Sequence, residues 1–337
     1  MSTILVSILS KHTLPNYLFI REMEGKYDEL LFITTPEVDK DNRGFQLQTA
    51  LGKDNGDVVY VTVDGNDYRK ALDDLRNWEI RKGDKYIVNL TGGTKMMSLA
   101  VHDFFLHFDT HFYYVPIGKN QYYNLSTGMW LPLLYRASLK EYFALYGMKY
   151  TCNNTLTYSA EQTSALFEKV RYKQFKLPRK LMHANDEGVW KTPEDKRYYG
   201  GGWFEEYTYS RIKRQYGLRD EDIALSLKIY RNKVQATNDN ELDVTFIRDN
   251  ALYVIECKVT MIGFNTTVPH TIETYLYKLA AISKDYGLVV NPYLFTLHQM
   301  SSLTKGTLHN IDKRCRILGI KGVIGPKELS EHQINLQ

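Results

Sequence analysis

Short apolar runs alternate with longer amphipathic segments over the first third of the chain. Runs rich in β-branched and aromatic residues predict strands, and apolar residues at helical spacing between them predict helices. Strands that alternate with helices indicate a parallel sheet covered on both faces, which is the doubly wound α/β class. The predicted strands are Thr3–Leu9, Glu29–Thr34, Val58–Val63, Tyr86–Leu90 and His111–Val115, and the predicted helices include Pro15–Glu24 and Lys95–Phe108.

The order of elements changes in the second half of the chain. A hairpin is predicted over Tyr122–Leu134, and a short helix over Ser138–Gly147 with Ser138 as its N-cap. From residue 200 onward the pattern predicts an α/β unit with a mixed sheet. We therefore divide the chain into residues 1–135, a Rossmann-like domain, residues 136–199, a helical linker, and residues 200–337, a second α/β domain. Its predicted elements are helix Trp203–Tyr216, strands Ile223–Tyr230, Glu241–Arg248 and Leu252–Val259, helix Thr271–Tyr286, strand Leu288–Phe295, a further helix and a last strand Arg316–Ile324.

Composition places the 337-residue chain in the ordinary globular range, with 43% hydrophobic and 24% charged residues. Fibrous and disordered classes are thereby excluded. The formal net charge is only +4, so any nucleic-acid-binding surface has to be local. No apolar run approaches the roughly 18 residues of a membrane span, which predicts a cytoplasmic protein without membrane contact. The three cysteines, Cys152, Cys257 and Cys315, are too scattered for a disulfide framework or a zinc knuckle.

A basic segment lies in the predicted linker. Its charges allow two interpretations, a solvated helix face or the wall of a groove that follows a phosphate backbone, with aromatic rings available for stacking. The basic residues are Lys169, Arg171, Lys173, Lys176, Arg179 and Lys180, interleaved with Tyr172 and Phe175.

A glycine-rich turn, Asn89-Leu-Thr-Gly-Gly-Thr-Lys95, connects a predicted strand to a predicted helix. Glycines allow close approach of a ligand, and the N–H groups at a helix start favour anions. Thr91, Thr94 and Lys95 add donors and a positive charge, which predicts a phosphate-bearing ligand. The spacing matches neither the P-loop nor the dinucleotide fingerprint, so ATP hydrolysis and NAD chemistry are disfavoured. A turn needed only for packing is the alternative.

The loop after the first strand lies at the same sheet edge as this turn. Ser10, His12, Thr13 and Asn16 supply polar groups there. Because the carboxyl ends of parallel strands are where open α/β sheets bind ligands, two polar loops at one edge favour a pocket.

A second site is predicted on a hairpin. If Asp249 and Asn250 form a two-residue turn, Asp243 lies opposite Glu256, and directly opposed residues have Cβ atoms about 4.5–5.5 Å apart. Two carboxylates so close repel unless a cation lies between them. Oxygen ligands suit a hard ion, Mg²⁺ or Mn²⁺, held by Asp243, Glu256 and the carbonyl of Cys257. A bulge would shift the register by one residue and turn Asp243 to the other face.

The neighbouring charges complete this second site. Lys258 is on the same strand face as Glu256 and is expected to position a water or stabilise the transition state. Glu205 and Glu206 open the helix upstream, where they either complement the helix dipole or contact the metal site, and Glu205 is preferred. Lys278 could reach a phosphate, although a surface lysine is the simpler interpretation.

The first site resembles a known family. The early strand, the Ser10–Asn16 loop and the Asn89–Lys95 turn look like the CRISPR-associated Rossmann-fold (CARF) sensor domain, which dimerises and binds cyclic oligoadenylates. The resemblance covers about the first 135 residues. It implies a ligand-binding set of Ser10, His12, Thr13, Asn16, Asn89, Thr91, Gly92, Gly93, Thr94 and Lys95.

The second site is similar to the PD-(D/E)xK nuclease superfamily, which has a restriction-endonuclease-like fold. The order of a helical Glu, then Asp243, then Glu256-Cys-Lys258 carries this resemblance, although Leu242 stands where the motif has proline. It implies a catalytic set of Glu205, Glu206, Asp243, Glu256 and Lys258.

Together, the two sites resemble the cyclic-oligoadenylate-activated nucleases of type III CRISPR defence. The resemblance implies a homodimer that cuts DNA or RNA, with cyclic tetra-adenylate as the preferred activator. Two alternatives stay open: a nucleotide-sensing regulator that binds nucleic acid without cutting it, and an ungated restriction or junction nuclease.

Overall fold

A computed structural model describes residues 1–54, 56–78, 83–175, 192–230, 240–260 and 267–336. The chain forms two compact units, Met1–Lys149 and Tyr150–Gln337. No helix among the described residues is long and apolar enough to span a membrane.

The first unit is built on a seven-stranded sheet in the order β3-β2-β1-β4-β5-β6-β7. The first five strands are parallel, and the last two add an antiparallel hairpin. Chain order reverses between the neighbours β1 and β4, so the loops after these two strands meet at a topological switch point. The strands are β1 Thr3–Ile8, β2 Glu29–Thr34, β3 Val58–Thr62, β4 Lys85–Asn89, β5 Asp109–Tyr114, β6 Gln121–Asn124 and β7 Met129–Pro132.

Helices connect the parallel strands of the first unit. Buried β-branched and aromatic residues of the sheet pack against their apolar faces, which confirms the doubly wound class. Ser138 caps the last helix by accepting the N–H of Glu141, as its position in the sequence predicts. The helices are Leu14–Glu22, Pro36–Lys40, Arg43–Leu51, Tyr68–Arg76, Lys95–Phe105 and Leu139–Ala144.

The second unit is built on a six-stranded mixed sheet in the order β13-β12-β11-β10-β9-β8. Strands β9, β10 and β11 are antiparallel, whereas β12 and β13 run parallel to β11. The central strands are buried, and their aromatic residues form the core with the helix that precedes β9. The strands are β8 Lys149–Thr151, β9 Ile223–Tyr230, β10 Asn240–Arg248, β11 Ala251–Lys258, β12 Val290–Thr296 and β13 Gly322–Ile324.

Helices of the second unit follow the predicted order. A π-helical turn, Tyr198–Gly202, leads into the helix Trp203–Tyr216, whose Trp203 and Phe204 are fully buried. The α-helices are Ala160–Tyr172, Pro193–Arg197, Trp203–Tyr216, Val268–Ser283, Lys305–Leu318 and Pro326–Leu329, and short 3₁₀ turns lie at Asp220–Asp222, Lys284–Tyr286 and Met300–Ser302.

The predicted last strand, Arg316–Ile324, is wrong in its first half. Residues 316–318 form the final turn of the helix Lys305–Leu318, and the strand is confined to Gly322–Ile324. The helix continues because Ile311 and Cys315, four residues apart, both face the core, while Ile317 points to solvent. Helical packing therefore overrides the β-branched run at this point. The short edge strand β8 was not predicted.

The basic segment of the predicted linker is only partly described. Lys169 and Arg171 lie on the helix Ala160–Tyr172, and Tyr172 is 90% exposed. Phe175 packs on Phe167, with ring centroids 5.8 Å apart, so it contributes to the core rather than to a stacking surface. Lys176, Arg179 and Lys180 lie outside the described residues.

Candidate functional site

The hairpin formed by β10 and β11 fixes the position of the two acidic residues. Asp249 and Asn250 both have positive φ angles, 52° and 60°, as a two-residue hairpin turn requires. Pairing begins at Arg248 with Ala251 and continues without a bulge to Val244 with Ile255. The predicted register is confirmed, and the next positions along the two strands are Asp243 and Glu256.

Three oxygen atoms of this hairpin converge on the Lys258 ammonium group. Its Nζ lies 2.8 Å from Glu256 Oε1, 3.0 Å from the carbonyl oxygen of Cys257 and 3.3 Å from Asp243 Oδ2. Asp243 is held toward β11 because its Oδ2 also accepts the backbone N–H of Cys257 at 2.7 Å. The structure thus brings together the predicted group Asp243, Glu256, Cys257 and Lys258.

Burial and crowding perturb the ionisation of these side chains. Burial, followed by the negative charge of Glu256, raises the pKa of Asp243 to about 6. Burial alone would lower the pKa of Lys258, but the carboxylates of Asp243 and Glu256 outweigh it and raise that pKa. A cation is therefore strongly favoured among these oxygens.

The two glutamates at the start of the helix Trp203–Tyr216 have different environments. Burial, followed by the charge of Asp243, raises the pKa of Glu205 to about 7. Glu206 instead accepts the backbone N–H of Thr157 at 2.9 Å and that of Tyr158 at 3.5 Å. The Glu206 carboxylate therefore anchors a loop, and Glu205 is the one whose pKa the charge of Asp243 raises.

The helix Val268–Ser283 adds two residues to the site. Lys278 Nζ lies 3.4 Å from Glu256 Oε1, and the Lys258 ammonium lies 5.3 Å from the centroid of the Tyr275 ring. The i, i+3 spacing of Tyr275 and Lys278, on the helix that follows the Glu-x-Lys strand, is the sequence signal for both. Sequence reasoning noted Lys278 but assigned no role to Tyr275.

The donor set fits a hard divalent cation. Within the described ranges, no three His, Cys, Asp or Glu side chains come together as a metal cluster. The ligands would instead be Asp243, Glu256 and the carbonyl of Cys257, and these oxygens already converge on one positive charge. An all-oxygen set of this kind suits Mg²⁺ or Mn²⁺, which remains a prediction.

In the first unit, buried amides hold the two polar loops together. Asn16 Nδ2 donates to Ser7 Oγ and to the carbonyl of Ile8, both at 2.8 Å, and to the carbonyl of Thr91 at 3.2 Å. Thr91 is tied in turn, because its N–H donates to Asn89 Oδ1 at 3.0 Å. Asn16, Asn89 and Thr91 therefore fix the loop geometry of this site.

The glycine-rich turn Asn89–Lys95 also presents exposed groups next to these buried hydrogen bonds. Gly92 has φ 98°, and a Cβ there would lie 2.5 Å from the carbonyl oxygen of Ile8, so packing against β1 requires the glycine. Gly93 and Thr94 are exposed; Thr94 Oγ1 caps the following helix and also donates to the carbonyl of Gly65. Lys95 is exposed at the helix start. Glycine packing and ligand access are thus compatible here.

Polar atoms without partners line the loop after β1. His12 Nδ1, Thr13 Oγ1 and Asn16 Oδ1 are buried and find no hydrogen-bond partner among the described residues, while Ser10 Oγ lies 3.3 Å from the carbonyl of His12. Burial, and then the positive charge of Arg43, lowers the pKa of His12. Sequence reasoning missed Arg43 because it begins a separate helix and belongs to no motif.

Both units match known domain families. Residues 4–142 match the Card1 CARF domain, and residues 192–336 match the Card1-like endonuclease domain. No protein of curated function matches the chain.

Solved structures share the fold over nearly the whole chain. Can2 from Sulfobacillus thermosulfidooxidans, in complex with cyclic tetra-adenylate, is 23% identical with a TM-score of 0.72, covering 97% of both chains. Protein VC1899 from Vibrio cholerae is 17% identical with a TM-score of 0.71, covering 97% of this chain and 95% of its own. A type III CRISPR defence DNA nuclease activated by cyclic oligoadenylate is 16% identical with a TM-score of 0.59, covering 88% of this chain and 45% of its own.

Proposed function

Since residues 4–142 belong to the Card1 CARF domain family and residues 192–336 to the Card1-like endonuclease domain family, we propose that the protein is a metal-dependent nuclease switched on by a cyclic oligoadenylate. Cyclic tetra-adenylate, the ligand in the Can2 complex, is the proposed activator. The substrate is DNA or RNA, and the biological setting is type III CRISPR defence.

One observation carries the nuclease proposal. Asp243, Glu256 and the carbonyl of Cys257 direct their oxygens to one point on adjacent strands, in the region that matches the endonuclease family. When bound there, Mg²⁺ or Mn²⁺ would neutralise charge on a phosphate and lower the pKa of a water. Asp243 and Glu256 would hold the cation, Lys258 would orient the attacking water or bind a phosphate oxygen, and Glu205 would accept a proton beside them.

The unpartnered groups of the first unit support the sensor proposal. His12 Nδ1, Thr13 Oγ1 and Asn16 Oδ1 are buried hydrogen-bonding atoms at the switch point of a doubly wound sheet, with exposed Lys95 and Thr94 nearby in the β4 loop. Such atoms are costly to bury unless a ligand engages them. A cyclic oligoadenylate offers base edges and phosphates to these groups, and its symmetry suits two copies of the chain in a homodimer.

Activation follows from linkage between the two sites. A ligand shifts an equilibrium between an inactive and an active state only by its difference in affinity for the two. The proposal therefore requires that cleavage depends on the concentration of the cyclic oligoadenylate, the messenger. It also requires that messenger binding survives inactivation of the nuclease site.

A cleavage assay tests the proposal directly. Labelled single-stranded and duplex DNA and RNA are incubated with Mg²⁺ or Mn²⁺, with and without cyclic tetra-adenylate and cyclic hexa-adenylate, and with EDTA as the metal control. Cleavage that needs both a divalent metal and a cyclic oligoadenylate is expected. Binding without any product would favour a regulator, and full cleavage without messenger would favour an ungated nuclease.

A further inference from the structure

A polar cleft of about 340 Å³ opens beside Glu205 in the second unit. Its walls come from the segment after β8, from the start of the Glu205 helix and from β9. A volume of this size lies at the lower end of small-molecule sites, which are about 300–1,000 Å³. It suits a single nucleotide rather than a duplex.

The backbone of β9 is strained where it meets this cleft. Ser226 lines the cleft and has φ 48°, in the left-handed region that residues with a Cβ rarely adopt. The residue lies between the ladder pairs formed by Leu225 and Leu227, at the level of Asp243 on β10. Strained residues of this kind concentrate at binding and catalytic sites, where the conformation directs a side chain.

Two cations border the same cleft. Lys228 is half-buried on β9, two residues beyond Ser226, and lines the same cleft. Arg197 is 74% exposed and lies 4.0 Å from Glu241, a distance that leaves it able to turn toward a ligand. Asn153 adds an amide to the lining. Hydroxyl, amide and cationic groups match a sugar, a base edge and a phosphate, although the carboxylates of Glu194, Glu205 and Glu206 also line the cleft.

We propose that this cleft binds the nucleotide next to the scissile phosphate. Lys228 and Arg197 contact its phosphate, and Ser226 and Asn153 hydrogen-bond its sugar or base. The inference rests on the proposed nuclease function and extends it to substrate positioning. A strand seated here would pass Glu205 and lead directly to the acidic pair at Asp243 and Glu256.

Steady-state cleavage by the fully activated protein tests the cleft. Lys228→Ala is expected to raise KM by about 10-fold and to leave kcat within about 3-fold, because it removes a phosphate contact rather than a catalytic group. Lys321→Ala is the matched control and should not change KM. Lys321 is exposed beside β13, which is the edge strand at the end of the sheet away from β9. Equal KM values for the two variants would overturn the proposal.

Substitutions at Ser226 separate binding from folding. Ser226→Gly relieves the backbone strain and removes the hydroxyl, so a melting temperature higher by about 2–4 °C and a raised KM are expected together. Ser226→Ala removes only the hydroxyl and should raise KM without that stabilisation. A more stable Ser226→Gly variant with unchanged KM would overturn the role of Ser226. If the wild type cuts no nucleic acid, the proposed function itself has failed.

A second inference rests on the environment of Lys258. The three oxygens that contact its ammonium, on Asp243, Glu256 and Cys257, are the same three that would ligate a divalent cation. An ammonium and a dication compete for these atoms, because both positive charges would lie within a few ångströms of each other and repel. Metal binding is therefore opposed by the Lys258 ammonium in its present position.

We infer that Lys258 is a built-in competitor that neutralises the site before metal binds. Its route outward is provided by the Tyr275 ring, 5.3 Å from the ammonium, because an aromatic face attracts a cation. Lys278 contacts only one of the three oxygens, Glu256 Oε1 at 3.4 Å, and is 56% exposed, so it competes much less. This inference also rests on the proposed metal-dependent function.

Mn²⁺ binding, measured by calorimetry and by the electron paramagnetic resonance of the free ion, tests the competition without any substrate. Lys258→Met is expected to bind Mn²⁺ about 10-fold more tightly than the wild type, although it cannot cleave. Lys278→Met controls for loss of a nearby positive charge and should change the affinity by less than about 3-fold. Lys258→Arg, which keeps a cation at the site, guards against misfolding of the methionine variant and should bind no more tightly than the wild type.

Three results are decisive for this inference. Equal tightening in the Lys258→Met and Lys278→Met variants would show a general charge effect and overturn the competition. Unchanged or weaker binding by a folded Lys258→Met variant would do the same. Absence of Mn²⁺ binding in the wild type and in every variant would instead contradict the metal-dependent function.

Discussion

The two sites of this protein differ in how their polar groups are satisfied. In the first unit, the Asn16 side-chain amide and the Thr91 backbone N–H donate hydrogen bonds that fix two loops, while Asn16 Oδ1 is left without a partner among the described residues. In the second unit, Asp243 and Glu256 lie on paired strands, burial raises the pKa of Asp243, and the Lys258 ammonium compensates the two carboxylates. The first site consists of two loops that buried hydrogen bonds hold in place. The second consists of two neighbouring carboxylates that repel each other on a rigid sheet.

This difference explains what each site can do. Loops that are held by buried hydrogen bonds can present exposed groups to a large ligand without losing their shape. Two neighbouring carboxylates on a sheet cannot separate by moving the backbone, so their repulsion can be reduced only by a cation or a proton. The nuclease site should therefore be very sensitive to loss of one charge, and the sensor site more tolerant.

The largest expected effect is the loss of cleavage in Glu256→Gln. The amide removes one of two carboxylates from the cation site, and we expect cleavage to fall by at least about 10³-fold. Messenger binding, measured by calorimetry, should not change because Glu256 lies in the second unit. Glu221→Gln, which alters an exposed pair with Arg219, should keep full activity. Retained cleavage in Glu256→Gln would reject Glu256 as a ligand.

Smaller and opposite effects are expected from the adjacent glutamates. Glu205→Gln should lower kcat by about 10–100-fold and leave the melting temperature unchanged or higher, because its carboxyl is disfavoured as an anion. Glu206→Gln should lower the melting temperature by about 3–6 °C, since two backbone N–H groups lose a charged acceptor. If Glu206→Gln were as stable as the wild type and Glu205→Gln fully active, the assignment of the two residues would be wrong.

The fold was largely predictable because its signals are local and repeated. Apolar runs of strand length alternate with helical spacing, and the Asp249-Asn250 turn sets a register that carries Asp243 to Glu256. The end of the chain was harder, since Ile317 favours a strand by composition but lies in a helix whose packing is set by Ile311 and Cys315.

Side-chain roles within the sites were less predictable than the fold. Nothing in the sequence separates Glu205 from Glu206, because the choice depends on which of them meets the N–H groups of a distant loop. The sequence likewise contains no sign that Ser226 adopts a left-handed conformation. Such features arise from tertiary contacts, which a single sequence does not display.

A moderate effect is expected in the sensor loops. Lys95→Ala should raise the messenger concentration needed for half-activation by about 10-fold, because it removes an exposed positive charge from the helix start, and stability should not change. Asn16→Ala should instead destabilise the protein, since three acceptors lose a buried donor. Normal activation in Lys95→Ala would remove this lysine from the sensor site, and full stability in Asn16→Ala would contradict its bracing role.

The smallest effect concerns pH and the metal-free protein. Burial raises the pKa of Glu205 to about 7 and that of Asp243 to about 6, whereas both groups titrate near about 4 when unfolded. Between these values the folded state holds protons that the unfolded state has released, so stability should fall as pH rises from about 4 to 7 and then level off.

Glu205→Gln should make the melting temperature less dependent on pH in that window, by roughly one proton's contribution, when each protein is compared in EDTA by calorimetry. Mn²⁺ should raise the melting temperature of the wild type more at pH 8 than at pH 5, because only the ionised carboxylates attract it. If the melting temperatures of the wild type and of Glu205→Gln depended on pH in the same way, the Glu205 carboxylate would not be one of the mutually repelling carboxylates of this site.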